Sequence, residues 1–167
     1  MKYSLFASAV VVAAACGGEM DDGAATPASG DPPSGFYALT IVTTDDTCTP
    51  ARATGDRGTA LVMADANGVN VPIPFVDGGP PRQDVPWAGT TLNDLADCPG
   101  TTLGLSIVHR SSDAFAVDVT ERWRGVAACA SSSSLLGVPS DECTATRRFE
   151  FTLVDACPAT VDGASCP

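Results

Sequence analysis

The sequence predicts an all-β antiparallel domain over residues 35–167, a small barrel or sandwich of about six to eight strands stapled by disulfides. Three observations carry this prediction. Several short segments alternate apolar and polar residues with a period of two, and turn-forming residues separate them. No segment of the domain keeps the 3.6-residue period of a long helix. Six of the seven cysteines fall within the domain.

Two segments at opposite ends of the domain show the alternation most simply. The first strand begins after Gly35, and its apolar side chains share one face: Tyr37, Leu39 and Ile41. The last strand has an inward set of its own: Phe149, Phe151 and Leu153. Because successive side chains of a strand point to opposite faces, each strand is expected to bury one face and expose the other.

The Asn67-Gly68 dipeptide predicts a β-hairpin with a two-residue turn. This turn brings apolar residues opposite each other: Ala64 with Val71, Val62 with Ile73, and Ala60 with Phe75. In this register the amide positions of Pro72 and Pro74 point away from the partner strand. Since proline has no N–H to donate, that side of the strand is predicted to be a sheet edge.

A second hairpin is predicted with residues 111–113 as its loop. This three-residue loop sets the following pairs: His109 with Phe115, Ile107 with Val117, and Leu105 with Val119. A two-residue loop would place Ile107 opposite Asp118 and turn the apolar face outward. His109 is therefore expected to lie on the apolar face, beside Phe115.

The six cysteines of the domain are expected to pair as disulfides, because free thiols are a liability in an oxidising compartment. They are Cys48, Cys98, Cys129, Cys143, Cys157 and Cys166. Cys143 and Cys157 lie at the two ends of one extended strand, too far apart to bond each other. Pairing Cys129 with Cys143 joins two consecutive strands and places Trp123 opposite Phe149. The sequence therefore predicts the Cys129–Cys143 disulfide.

The other four cysteines leave two connectivities open. A six-strand meander brings Cys48 next to Cys98 and leaves Cys157 for Cys166. If residues 84–90 form an additional strand, every later strand reverses its direction. Cys48 then meets Cys157, and Cys98 meets Cys166.

The chain is strongly acidic. Its formal net charge is −11, and Lys2 is its only lysine. Removal of a leader that contains Lys2 would leave the remainder at −12. Because such a surface repels phosphate backbones and anionic lipid headgroups, no nucleic-acid partner is expected.

Residues 1–15 have the layout of a signal peptide that is removed on secretion: a positive charge at Lys2, an apolar stretch, and then small residues. The apolar stretch, Leu5–Ala15, would rise only about 16 Å as a helix, too little to cross a bilayer. The residues Ala13-Ala14-Ala15-Cys16 resemble a bacterial lipobox, with alanine at position 13 where the family favours leucine.

The lipobox resemblance implies a bacterial lipoprotein with a diacylglycerol thioether on Cys16 and an acyl chain on its freed amino group. Lipidation of Cys16 would also leave an even number of cysteines. The alternative is an ordinary signal-peptidase site at Ala13-x-Ala15, which would leave Cys16 as a free thiol.

Residues 16–34 are rich in Gly, Ala, Pro, Ser and acidic residues, and they are predicted to be a flexible, lipid-anchored tether. Gly17 follows Cys16 where the resemblance to Gram-negative lipoproteins would place an aspartate for retention in the inner membrane. The sequence therefore predicts a lipid anchor in the cell envelope of a Gram-negative bacterium, at the outer membrane or the cell surface.

The sequence offers no catalytic motif, and it predicts neither a metal site nor a cofactor. His109 is the only histidine and is expected to be structural, since a catalytic base needs a nucleophile beside it. Glu121 lies in the inward phase beside Trp123, where a carboxylate is costly unless it is paired. It is expected at the end of the sheet, in water or against an arginine. The alternative role of a glycosidase-type acid requires a second facing carboxyl group, which the pattern does not supply.

Residues 77–100 are predicted to be an irregular segment that displays Trp87 among prolines. Long loops that carry an aromatic side chain often bind ligands, so Trp87 is a candidate ligand contact. The alternative is that Trp87 plugs the end of a barrel.

Three functions follow from these features. The first is a non-catalytic envelope lipoprotein whose β-domain binds a protein or glycan partner or has a structural role. The second rests on Gly35-Phe36-Tyr37, which resembles the start of lipocalin-like barrels. That resemblance implies a carrier with an apolar ligand in a cavity lined by Tyr37, Leu105 and Phe151. The third is a carboxylate-dependent hydrolase. The sequence favours the first and predicts that the protein is not an enzyme.

Overall fold

The structure, a computed structural model, describes residues 30–74, 82–94, 98–129 and 137–156. These residues form eight antiparallel strands in a nearly closed, barrel-like sheet, which confirms the predicted all-β fold. The strands are β1 (Gly35–Asp46), β2 (Gly55–Ala64), β3 (Gly68–Pro72), β4 (Arg82–Pro86), β5 (Thr90–Asn93), β6 (Thr102–Val108), β7 (Ala114–Trp123) and β8 (Cys143–Ala156). A turn of 3-10 helix, Val126–Ala128, follows β7.

The strand order in the sheet is β4-β3-β2-β1-β8-β7-β6-β5. The first and last strands therefore lie side by side, and consecutive strands are neighbours everywhere except between β4 and β5. The chain runs into β1 from Ser34 at one end of the barrel, which we call the entry end. At the opposite end, the disulfide end, two disulfides join the connections between strands.

Side chains fill the interior of the barrel. Three aromatic rings pack together near the entry end: the Tyr37 and Phe115 centroids are 5.5 Å apart, and Phe115 stacks on Phe151 at 4.7 Å. The predicted inward faces of β1 and β8 are confirmed, since both sets lie in the core or pack against it. The interior is therefore a packed core, in which Tyr37, Leu105 and Phe151, the residues expected to line a ligand cavity, are buried.

The predicted register of the second hairpin is confirmed: Leu105 lies opposite Val119, as the three-residue loop required. Ser111 holds this loop closed. Its backbone N–H donates to the carbonyl oxygen of Ala114 at 2.8 Å, and its Oγ accepts the N–H of Ala114 at 3.1 Å. Local side-chain bonds of this kind are typical of serine in tight turns.

The predicted register of the first hairpin is wrong by two residues, because Ala64 lies opposite Val69 and not Val71. The side chain of Asp65 explains the difference. Its Oδ1 accepts the backbone N–H of Gly68 at 3.0 Å and that of Asn67 at 2.7 Å, and its own N–H donates to the Gly68 carbonyl at 3.0 Å. The turn is therefore centred on residues 66–67 and not on Asn67-Gly68. An even shift leaves every side chain on its original face, and the apolar pattern fits both registers.

The predicted register between the last two strands is wrong by six residues, because Trp123 lies opposite Cys143 and not Phe149. The Cys129–Cys143 disulfide on which that register depended is also wrong. The chain leaves the sheet after Trp123 and turns through the 3-10 helix, so Cys129 does not extend β7. The shift is again even, and the inward faces are unchanged.

The disulfides are Cys48–Cys143 and Cys98–Cys129. Both sets of pairings considered for Cys48 and Cys98 are therefore wrong, although all four residues do form disulfides. The reason is that all four lie at the same end of the barrel, where each connection has more than one neighbour. Cys157 and Cys166 lie outside the described residues, as do Cys16 and the leader.

The strand that contains Pro72 is not a sheet edge, so that prediction is wrong. β3 pairs with β2 on one side and with β4 on the other. Its pairing with β2 stops at Asn70, so Pro72 needs no N–H for that strand. The edges are β4 and β5, which lie within the segment 77–100 that was predicted to be irregular.

Candidate functional site

A buried ionic cluster lies at the disulfide end and is centred on Glu121 of β7. Arg52 Nε lies 3.0 Å from Glu121 Oε2, and Arg147 Nη2 donates to Oε1 of the same carboxylate. Trp123 Nε1 also donates to Oε2, at 2.9 Å. Glu121, Arg52 and Arg147 are 1%, 3% and 1% exposed. We call these four residues the Glu121 cluster.

The two arginines reach the cluster from different parts of the fold. Arg147 belongs to β8, where it shares the inward phase of Ala145 and Phe149. Arg52 lies in the connection between β1 and β2, which the Asp46 carboxylate shapes. Asp46 accepts the backbone N–H of Arg52 at 2.6 Å and that of Cys48 at 2.9 Å. The cluster thus joins the connection between β1 and β2 to β7 and β8, which come much later in the sequence.

The guanidinium groups have further contacts inside the barrel. Arg52 Nη1 donates to the Gly137 carbonyl at 2.6 Å, and Arg147 Nη1 donates to the Pro74 carbonyl at 2.6 Å. The guanidinium carbon of Arg52 also lies 5.1 Å from the centroid of the Trp123 ring, within cation–π range. These contacts replace part of the hydration that both groups lose on folding.

The electrostatics of the cluster are a balance between burial and pairing. Burial lowers the pKa of the Arg52 and Arg147 guanidinium groups below the usual arginine range, because it disfavours the charged form. The Glu121 carboxylate acts in the opposite direction and raises both pKa values. The charge of Asp46 adds a smaller effect in the same direction, so the cluster depends mainly on its central carboxylate.

Glu121 was expected to lie in water or against an arginine. The structure places it against two arginines. Sequence reasoning missed Arg52 and Arg147 as its partners. For Arg147 the sequence did carry a signal, because this residue lies in the inward phase of its strand between two apolar residues. Arg52 lies in a connection without periodicity, so the sequence carried no corresponding signal for it.

His109 is not on the apolar face, and the prediction that it packs beside Phe115 is wrong. Its backbone adopts the left-handed conformation, with φ 51°, and its side chain is exposed. β6 ends one residue earlier, so the strand alternation does not extend to His109. Its Nε2 lies 3.4 Å from Arg148 Nη1 on the outer surface. The imidazole is thus remote from the Glu121 cluster at the other end of the barrel.

A groove of about 550 Å³ lies at the entry end, open to the outside of the barrel. We call it the entry groove. Its walls come from the end of β2, the turn that follows, the start of β3 and the end of β4. The lining residues are Ser34, Met63, Ala64, Asp65, Asn67, Gly68, Val69, Asn70, Asp84, Val85 and Pro86.

Trp87 lies in the turn between β4 and β5, beside the entry groove. Its Nε1 donates to the Asp65 carbonyl at 3.1 Å, which ties the turn to one wall of the groove. The guanidinium carbon of Arg110 lies 4.0 Å from the centroid of the Trp87 ring, and Arg110 in turn pairs with Asp31. Trp87 is half-buried and packs against the core, and it is not among the residues that line the groove.

Among the residues that the structure describes, no group of three or more His, Cys, Asp or Glu side chains could hold a metal ion. Within the same residues, no helix has the length and apolar character needed to cross a membrane. No protein-family model matches the chain, and neither does any curated protein or solved structure.

Proposed function

We propose that this protein is a lipid-anchored lipoprotein of the bacterial cell envelope whose barrel is a non-catalytic binding domain. Cys16 would carry the lipid, and residues 17–30 would hold the barrel away from the membrane. Partners would engage the outer surface of the barrel. The observation that carries this proposal is the packed interior, which leaves binding to the outside.

The packing of the core argues against the carrier alternative. A lipocalin-like carrier needs an internal cavity, and Tyr37, Leu105 and Phe151 were expected to line it. Instead, Tyr37 and Phe151 both contact the Phe115 ring, and Leu105 is 2% exposed. A ligand could enter only by displacing these side chains, which would cost the dispersion contacts of a close-packed core.

The geometry of the Glu121 cluster argues against a hydrolase. A general acid must reach the substrate, either directly or through one water molecule. Both oxygens of the Glu121 carboxylate are occupied by arginine and tryptophan, and the residue is 1% exposed. The cluster therefore serves the fold by joining the disulfide-end loop to the sheet.

Native mass spectrometry of the full chain tests the choice between outer-surface binding and internal carriage. The purified protein, in a nonionic detergent, would be incubated with decanoic acid as an apolar probe. The detergent would then be removed in the mass spectrometer and the mass of the protein recorded. We expect the unliganded mass alone. The proposal would be contradicted by a saturable one-to-one adduct of protein and decanoic acid that the substitution Leu105→Phe, inside the barrel, abolishes. Val154→Phe is the matched control, because Val154 is 62% exposed on the outer face.

A further inference from the structure

The entry groove combines acceptor groups with apolar surface. Two carboxylates line it, and the described hydrogen bonds engage only one oxygen of each. Asp65 Oδ1 accepts backbone N–H groups of its own turn, and Asp84 Oδ1 accepts a hydrogen bond from Asn70 Nδ2 at 2.6 Å. Met63, 37% exposed, and Pro86 add apolar surface.

The charge of the groove is not neutralised by its own lining, which contains two aspartates and neither lysine nor arginine. Arg82 lies nearby and interacts electrostatically with Asp84, but its hydrogen bonds are to other acceptors. Its Nη2 donates to the Leu61 carbonyl at 3.0 Å and to the Asn70 carbonyl at 2.8 Å. The groove thus presents negative charge in a concave site, where the potential is focused.

Charge complementarity selects a positively charged occupant. The protein's own tether contains no lysine or arginine, and the chain as a whole has a net charge of −11, so neither the tether nor a second copy complements the groove. A glycan is also disfavoured, because sugars stack on open aromatic faces and Arg110 covers a face of Trp87. Lysine and arginine side chains match the groove, since their stems pack on apolar surface while their charged ends reach carboxylates.

We propose that the entry groove binds an extended basic segment of a partner protein, with lysine or arginine side chains lying along Met63 and Pro86 and their cationic ends at Asp65 and Asp84. The volume is within the range of pockets that hold a drug-sized ligand, which is enough for one or two of these side chains. This inference rests on the proposed outer-surface binding function and names the surface and the class of partner. It does not depend on the lipid anchor.

Titration of the full chain in a nonionic detergent with the peptide acetyl-(Lys-Ala)3-amide tests the proposal. The readouts are Trp87 fluorescence and the NMR side-chain amide signals of Asn67 and Asn70. Trp123, the other tryptophan, is buried at the far end and is expected to stay constant. We expect saturable binding that shifts the groove signals, while acetyl-(Glu-Ala)3-amide gives no shift. Absence of saturable binding by the lysine peptide would overturn the proposal.

Two variants with the same change of charge separate the groove from general attraction by an acidic surface. Asp84→Asn keeps an acceptor for Asn70 and should weaken binding about fivefold, as the loss of one solvent-exposed charge contact predicts. Glu150→Gln, on the exposed face of β8, should leave binding unchanged. Equal weakening by both variants would overturn the proposal. Circular dichroism checks that both variants are folded.

The other occupants give distinct results in the same measurements. If deletion of residues 17–29 shifts the groove signals, the protein's own tether occupies the groove. If those signals shift with protein concentration alone, a second copy does. Either result would overturn the proposal, whereas failure of the anchor would appear only in membrane fractionation and leave the peptide titration unaffected.

Discussion

Arg52 Nε and Glu121 Oε2 lie 3.0 Å apart, with side chains 0% and 1% exposed, and this ion pair joins the loop between β1 and β2 to the wall of the barrel. Arg147 pairs with the other carboxylate oxygen from β8. A buried carboxylate between two guanidinium groups is costly to assemble, but it is more costly to break, because removal of one partner leaves an uncompensated charge.

Glu121→Gln should therefore destabilise the protein strongly. Glutamine keeps the shape of the side chain and an acceptor for Trp123, but it removes the carboxylate that pairs directly with two buried guanidinium groups. The Asp46 carboxylate acts on these groups only through its charge. We expect the free energy of unfolding to fall by about 3–5 kcal/mol, measured by urea denaturation. Asp118→Asn, in the half-exposed pair with Arg148, is the control and should have a much smaller effect because solvent screens that pair. A similar loss in both variants would contradict the role assigned to Glu121.

The sequence was sufficient for the fold class and for the faces of the strands, and insufficient for two registers and the disulfides. The reason is the same for both wrong registers, that of β2 with β3 and that of β7 with β8. Strand alternation fixes which residues point inward, but a shift of two or six residues preserves that pattern. Only local chemistry distinguishes the registers, such as the Asp65 side chain that fixes the position of its turn.

The candidate site was only partly predictable for a related reason. Glu121 stood out in the sequence because it interrupts an inward-facing apolar row. Its partner Arg52 lies 69 positions earlier in a connection, where no periodic pattern shows whether a side chain is buried. The entry groove was not predicted at all, since it is formed by the ends of β2, β3 and β4. The register of the first two was predicted wrongly, and β4 lies in the segment that was predicted to be irregular.

The two disulfides should differ in their effect on stability. In the loop-entropy model, a cross-link that closes a longer loop constrains the unfolded chain more. Cys48–Cys143 closes a separation of 95 residues and Cys98–Cys129 one of 31. Replacing both cysteines of a pair with alanine should cost about 5 kcal/mol for the first and about 4 kcal/mol for the second. Urea denaturation measures the difference. Non-reducing peptide mapping that joined either pair differently would contradict the structure.

Tyr37 should make the protein sensitive to alkaline pH. Burial, followed by the charge of Asp113, raises the pKa of its hydroxyl group to about 12 from the ordinary value of 10.0. The unfolded chain therefore loses this proton first as pH rises. Stability should be unaffected below pH 10 and should fall by about 2–3 kcal/mol as pH rises from 10 to 12.

Urea denaturation at several alkaline pH values measures this loss. Tyr37→Phe is the matched variant, because it removes the titrating group along with one hydrogen bond to the Pro33 carbonyl. Its stability should be lower by about 1 kcal/mol at neutral pH and should decline less between pH 10 and 12. An equal decline in both proteins would show that Tyr37 is not responsible.

His109 should respond to substitution as a turn residue and not as a core residue. Its φ of 51° lies in the left-handed region, which glycine adopts freely and alanine does not. His109→Gly is expected to be more stable than His109→Ala by about 1 kcal/mol in thermal or urea unfolding. If His109→Gly were the more damaging of the two, the backbone at this position could not be in the left-handed conformation.

The central claim is that Cys16 becomes the lipidated first residue of the mature protein, and mass spectrometry of the N-terminal peptide tests it most directly. The protein would be extracted from the membrane fraction and digested, and the peptide that begins at Cys16 would be sought. We predict a peptide with a diacylglycerol thioether on the sulfur and an acyl chain on the amino group. A peptide that begins elsewhere, or one with an unmodified Cys16 thiol, would contradict the account.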